Sequence, residues 1–147
     1  MKAFAYLDKF SNAGLLFIRV GLGVMFIFHG FPKLLSGTAE WTSLGQSMKY
    51  FGITFLPAVW GFIAAATELL GGILFILGMS FRTVCMLMTF NLIVAALYHF
   101  GAGDGLNGAS HAVEDGIVFA GFVFIGPGNY SLDHYLKLRR QSRKLVY

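Results

Sequence analysis

Three long stretches of the chain, residues 13–31, 55–79 and 83–100, are almost without charge. Each is about as long as the roughly 20 apolar residues that a helix needs to cross a bilayer. Only 12% of the 147 residues are charged, whereas soluble domains average about 25%. The sequence therefore predicts an integral membrane protein with one domain and no separate soluble module.

A fourth stretch, residues 112–126, is less apolar, and the distribution of positive charge favours counting it as a span. Lys and Arg collect on the cytoplasmic side of membrane helices. Four spans place eight Lys and Arg residues on one side of the membrane and only Lys33 and Lys49 on the other. We therefore expect an all-α integral membrane four-helix bundle with both termini in the cytoplasm, and with Trp41 and Asp104 outside.

Two segments outside the spans also have recognisable patterns. The Gly-rich stretch 101–110 predicts a flexible loop between the third and fourth spans. Near the end of the chain, Ser131 is a suitable N-cap for a short helix over residues 132–138. That segment combines apolar and basic side chains, which predicts an interfacial helix that rests on lipid and meets anionic headgroups.

Arg19, Glu68 and Asn91 are polar side chains within the predicted spans. An ionisable group in hydrocarbon costs a few kcal/mol or more and is seldom without a role. The helical rise places the three residues roughly 9, 16 and 12 Å from the inner boundary, so we expect one buried polar layer containing an Arg19–Glu68 ion pair. This layer either fixes the packing or holds a carboxylate for proton transfer or for a polar ligand.

A second polar cluster is predicted near the outer surface, where several segments end or begin. Histidine at such a depth can pass protons or hydrogen-bond a carbonyl group, although each residue alone is also explained as a solvated helix end. We expect a ligand-binding or proton-transfer pocket with Lys33 and His111 at its rim, while no catalytic residue is assigned. The predicted members are His29, Lys33, His99, His111 and Glu114.

The same residue types bear on metal and thiol chemistry. Three His with Glu114 resemble a zinc or iron ligand set, but no metal site is expected. A bis-histidine haem between His29 and His99 is not favoured, because both lie near helix ends rather than deep in the bundle. Cys85 is the only cysteine, so neither an internal disulfide nor a thiol pair is possible, and it is expected to pack as a small apolar residue.

Three motifs together resemble the DoxX family of small bacterial membrane proteins over most of the chain. They are R-x-x-x-G with H-G-x-x-K at residues 19–33, E-L-L-G-G at 68–72 and G-P-G-x-Y-S-L-D at 126–133. The resemblance implies a single DoxX-like domain over residues 1–147 in a bacterial inner (plasma) membrane. It also implies a link to quinone-coupled membrane redox complexes. The family's functional positions carry over to Arg19, His29, Glu68 and Glu114, with His99 as a companion.

We therefore expect an accessory subunit that binds a quinone or another lipophile and takes electrons from a redox partner protein. Such a chain would belong to a quinone-linked oxidoreductase without carrying its redox centre. The alternative is a non-catalytic scaffold or chaperone-like protein that binds partner helices through its Gly-rich faces. Homo-oligomers are compatible with both hypotheses, a small transporter would require one, and no nucleic-acid partner is expected.

Overall fold

The computed structural model describes residues 4–144 and is almost entirely helical. Within that part of the chain there are six α-helices and no strand, and two 3-10 helices occupy Ala5–Phe10 and Gln46–Phe51. The α-helices are α1 (Ser11–Leu35), α2 (Thr38–Gly45), α3 (Pro57–Leu77), α4 (Phe81–Ala102), α5 (Gly105–Ile125) and α6 (Leu132–Lys144).

Helices α1, α3, α4 and α5 are long and apolar enough to cross a membrane. The predicted all-α four-helix membrane bundle is thus confirmed. Many large apolar side chains on these helices are exposed, such as Phe17 at 80% and Phe124 at 84%, and a bilayer is the solvent that suits them. The terminal residues 1–3 and 145–147, on which part of the topology prediction rests, lie outside the described residues.

The connection between α4 and α5 is much shorter than predicted. Helix α4 continues to Ala102, and α5 begins at Gly105 rather than near residue 112. The N–H of Asp104 donates to the carbonyl of His99 at 3.0 Å, and Gly103 has a φ of 87°, which closes the end of α4. The expected flexible loop over 101–110 is therefore wrong, because at membrane depth a helix satisfies the backbone groups that a loop would leave unpaired.

The apolar core lies where α1, α3, α4 and α5 meet. The ring of Phe75 stacks on Phe81 at a centroid distance of 5.0 Å and contacts Phe119 at 4.8 Å. The ring of Phe26, on α1, packs edge-to-face against Phe119 at a centroid distance of 5.1 Å. These aromatic contacts join all four membrane-spanning helices.

Helix α2 packs against the first turns of α3 with their backbones in contact. A Cβ atom at Gly45 would overlap the carbonyl of Pro57, and one at Gly61 would overlap the carbonyl of Trp41. Small residues permit this close approach of helices. As a result, α2 is held over the end of the bundle at which α1 ends.

Candidate ligand-binding site

A partly buried ion pair between Lys33 and Glu68 is the centre of the candidate site. The Nζ of Lys33 lies 2.8 Å from Oε1 and 2.7 Å from Oε2 of Glu68. The Nδ2 of Asn91 donates a further, longer hydrogen bond of 3.3 Å to Oε1. Glu68 is only 8% exposed, whereas the Lys33 side chain is 34% exposed. The carboxylate is thus compensated as a buried charge must be, and its lysine remains accessible.

Lys33 reaches Glu68 because α1 does not end where the sequence predicts. The helix passes through Pro32 and ends at Leu35, which keeps Lys33 in helical geometry. One turn earlier, Gly30 contacts the α3 backbone so closely that a Cβ there would lie 2.9 Å from the Cβ of Glu68. The indole N–H of Trp41 then donates to the carbonyl of Lys33 at 3.0 Å and secures the end of α1.

Two cavities meet at this ion pair. One has a volume of about 340 Å³ and extends toward α5, and the other has about 250 Å³ and extends toward α2. Both are lined by Lys33, Glu68, Ala95 and His99. The first adds the ionisable residues His29, His111 and Asp115, and the second adds Glu40, Ser43, Ser47, Asn91 and Tyr98.

Most of the predicted outer cluster does line one cavity, with two differences. Lys33, expected at the rim, lies at the centre, and Asp115 lines the cavity in place of the exposed Glu114. The residues of α5 that line the cavity recur every three or four positions, at Gly108, His111, Ala112 and Asp115. Glu114 is only two residues after Ala112 and falls outside this stripe. The stripe of small residues that continues to Asp115 is the sequence signal that would have identified it.

His99 is oriented by an acidic neighbour at the end of α4. Its Nδ1 lies 2.8 Å from Oδ2 of Asp104, and both side chains are partly exposed. An ionised carboxylate only accepts hydrogen bonds, so Nδ1 carries the hydrogen in this contact. The Nε2 of His99 is then the ring atom available to a ligand in the cavity.

Arg19 does not belong to this site, and the expected Arg19–Glu68 ion pair is wrong. Its fully buried guanidinium donates to four backbone carbonyls: Phe75 at 3.0 Å, Ile76, and Pro127 and Tyr130 at 2.8 Å each. No described carboxylate forms an ion pair with it. The last carbonyls of a helix lack intrahelical partners, and a cation at that end is favourable. The end of α3 therefore binds Arg19, which leaves only Glu68 and Asn91 of the predicted polar layer in contact.

The segment after α5, residues 126–133, acts as a structural connector. Gly126 and Gly128 have φ values of 82° and 75°, and the segment turns the carbonyls of Pro127 and Tyr130 toward Arg19. Both carboxylate oxygens of Asp133 accept N–H groups at the start of α4, from Ser80 and Phe81 at 2.9 Å each. The Oγ of Ser131 accepts from the His134 N–H at 3.2 Å, which confirms its predicted role as the cap of α6.

The remaining candidate groups are the potential metal ligands and the cysteine. Within residues 4–144, no group of three His, Cys, Asp or Glu side chains is arranged to hold a metal ion. Cys85 is fully buried among the core residues of the bundle, in keeping with a packing role.

Comparison with known proteins identifies a family and two relatives that this chain resembles. The family model named DoxX matches residues 14–101. A protein of Bacillus subtilis (strain 168) named "Putative oxidoreductase CatD" is 31% identical over 91 residues, which cover 62% of this chain but only 63% of that relative, less than two thirds of its length. A Haemophilus influenzae (strain ATCC 51907 / DSM 11121 / KW20 / Rd) protein named "Uncharacterized protein" is 29% identical over 138 residues, 87% of this chain and 94% of that protein. No solved structure matches significantly.

The family match includes the residues around which the site is built. Lys33, Glu68, Asn91 and His99 all lie within 14–101, together with Arg19. The match also spans more than half of the sequence. This chain is a multi-pass membrane protein of the DoxX family.

Proposed function

We propose that this chain is a small accessory subunit of a membrane redox system that binds a quinone, or a similar lipophilic carbonyl compound, beside Lys33 and Glu68. The observation that carries the proposal is the position of this ion pair, at the meeting point of two cavities inside a membrane bundle. The name of the Bacillus subtilis relative supports a redox context. We place the protein in a bacterial inner membrane with cytoplasmic termini.

The residue types around the ion pair match what a quinone requires. A quinone needs an apolar slot, donors to its carbonyl oxygens and carriers for two protons. Phe26 and Leu92 line the larger cavity and contact an apolar ring, while the ammonium of Lys33 is available as a donor. The volume of about 340 Å³ falls within the usual range for small-molecule pockets, roughly 300–1,000 Å³.

Proton transfer is assigned to the ionisable groups around the cavity. His99 and His111 line the cavity, and an imidazole ring can donate or accept a proton; Asp115 provides a second acidic group beside them. Reduction of a quinone to a quinol uses two electrons and two protons. In this proposal the protons pass through these side chains, and the two electrons come from a redox partner protein.

The first test is chemical analysis of the purified protein. After extraction in a mild detergent, its bound lipids are examined for quinones by mass spectrometry and optical absorption. Purified protein is then titrated with short-chain ubiquinone and menaquinone analogues. Saturable binding of one class supports the proposal, whereas a folded protein that binds neither supports the scaffold alternative.

Variants locate the binding in the cavity. We expect His111→Ala and Lys33→Met to weaken quinone binding by about tenfold or more, because each removes a hydrogen-bond donor to the carbonyl oxygens of the quinone. Lys49→Met is the matched control, since Lys49 is exposed and lines neither of the two cavities. Equal binding by all three variants would contradict this site.

A further inference from the structure

A recess rich in positive charge lies beneath α6, at the other end of the bundle from Lys33 and Glu68. Its larger part has a volume of about 550 Å³, and three of its lining side chains, Lys137, Arg140 and Lys144, recur on one face of α6. A neighbouring part of about 440 Å³ shares Lys137 and adds Arg82 and His134. The two parts meet at Ser80, Asp133 and Lys137.

The carboxylate of Asp133 is the acidic group of the recess, but it is already engaged. Its Oδ1 accepts the N–H of Ser80 and its Oδ2 accepts the N–H of Phe81, both at 2.9 Å. Among the described residues, the cations of the recess form no ion pair. The recess therefore presents several positive groups and a single carboxylate committed to capping α4.

The recess is also partly apolar, which separates it from a site for a soluble anion. Met79 and Leu136 line it beside the cations and are 37% and 42% exposed. An almost wholly apolar groove of about 290 Å³ runs between α3 and α4 and includes Leu74 and Val84. Val84 lies one helical turn, about 6 Å, beyond Ser80, so the groove begins close to the charged recess.

We propose that this recess binds an anionic phospholipid. The phosphate of the lipid, whose charge no headgroup cation offsets, contacts Lys137, Arg140 and Lys144, since ammonium and guanidinium groups form charge-assisted hydrogen bonds with phosphate oxygens. The glycerol region lies over Met79 and Leu136, and one acyl chain follows the groove between α3 and α4. The site is independent of the proposed quinone site and uses none of its residues.

The test separates a defined site from general attraction to a charged surface. Detergent-purified protein is delipidated and titrated with phosphatidylglycerol or phosphatidylcholine, and bound lipid is counted by native mass spectrometry. Lys137→Gln combined with Arg140→Gln removes two charges that line the recess. Arg139→Gln combined with Arg143→Gln removes the same charge from side chains that do not line it.

For the wild type we expect tight binding of one phosphatidylglycerol and weak binding of phosphatidylcholine. The Lys137/Arg140 double variant should lose about tenfold or more in affinity, and the Arg139/Arg143 variant should lose less than about threefold, because that pair affects only the long-range field. Equal losses in both variants, or no preference for phosphatidylglycerol in the wild type, would overturn the proposal.

A competition experiment distinguishes a lipid from a free phosphate. Inorganic phosphate and glycerol phosphate are added to the phosphatidylglycerol complex. A large molar excess of either should displace little lipid, because neither has the acyl chain that the groove holds. Displacement at equimolar concentration would show a soluble-anion site and overturn the lipid assignment. All four replaced side chains are exposed, so folding should be retained, and a thermal unfolding curve of each variant verifies this.

Discussion

The Nζ of Lys33 lies within 2.8 Å of both carboxylate oxygens of Glu68. This contact joins the last turn of α1 to the middle of α3 and encloses a negative charge in an apolar bundle. Since Lys33 is partly accessible and Glu68 is not, the lysine can turn toward a ligand while Asn91 still hydrogen-bonds the carboxylate.

Lys33 and Glu68 should be strongly coupled in stability. We expect Lys33→Met or Glu68→Gln alone to cost more than half of what the double substitution costs. Lys33→Met leaves a buried carboxylate without its cation, and Glu68→Gln leaves the lysine without its carboxylate. The coupling energy should be about 1–3 kcal/mol, below the value for a fully buried pair because water screens the lysine. A double-mutant cycle of unfolding in detergent measures it.

The same cycle with Arg19 serves as a control. Arg19→Met and Glu68→Gln should be additive within about 0.5 kcal/mol, since the two side chains share no partner. A coupling of that pair as large as the one between Lys33 and Glu68 would contradict the arrangement of both sites.

Arg19→Lys should destabilise the bundle although it keeps the charge. An ammonium group cannot reproduce the fork that donates to carbonyls of α3 and of the segment after α5. A loss of about 2–4 kcal/mol is expected from two or more charge-assisted hydrogen bonds. The exposed Arg82 provides the comparison, and Arg82→Lys should shift the unfolding midpoint in detergent far less. Similar midpoints for the two variants would mean that the buried fork contributes little.

Gly61→Ala tests the contact between α2 and α3. The added methyl group meets the carbonyl of Trp41, so α2 has to move, at a cost of about 1–3 kcal/mol. Because Trp41 hydrogen-bonds the end of α1, quinone-analogue binding should fall as well. At Gly121, where nothing lies within 4 Å of a Cβ, alanine should be neutral or stabilising by up to about 1 kcal/mol. Unfolding and ligand titration of both variants are compared, and loss of binding in Gly121→Ala alone would refute this reasoning.

The predicted topology is testable with exposed positions at opposite ends of the bundle. In a Cys85→Ala background, Ala39→Cys lies on α2 and Ser142→Cys on α6, and both positions are exposed. An impermeant maleimide should label position 39 in intact spheroplasts, and position 142 only after permeabilisation. Labelling of position 142 without permeabilisation would reverse the assigned orientation.

The four spans were predictable because length and hydrophobicity alone determine which segments suit a bilayer. The tail helix was predictable in existence, although it extends to Lys144 rather than to residue 138. The α4–α5 connection was not, since the seven Gly and polar residues of 101–110 are typical of loops in water. In a membrane bundle the requirement to satisfy every backbone group keeps such a sequence helical.

The expected ion pair failed because Arg19 and Glu68 lie at different depths in the bundle. Glu68 packs against Gly30, which is 11 residues, or about 16 Å, along α1 from Arg19. Because α1 continues beyond Pro32, Lys33 stays helical and pairs with Glu68. Arg19 instead donates to backbone carbonyls, which every residue carries. The pattern of side chains in the sequence therefore cannot predict these partners. The clustering of His29, Lys33, His99 and His111 was predictable because they lie near the ends of helices that meet at one side.

The four carbonyls around Arg19 have a consequence for the synthesis and membrane insertion of the protein. The arginine enters the membrane with the first helix, whereas Pro127 and Tyr130 are synthesised only after the fourth spanning helix. Until then, half of its acceptors do not exist, and a chain interrupted after α4 would hold a partly unsatisfied cation in its interior. Completion of the last connector is therefore the step that closes the bundle, and a prematurely terminated product should be a good substrate for membrane proteases.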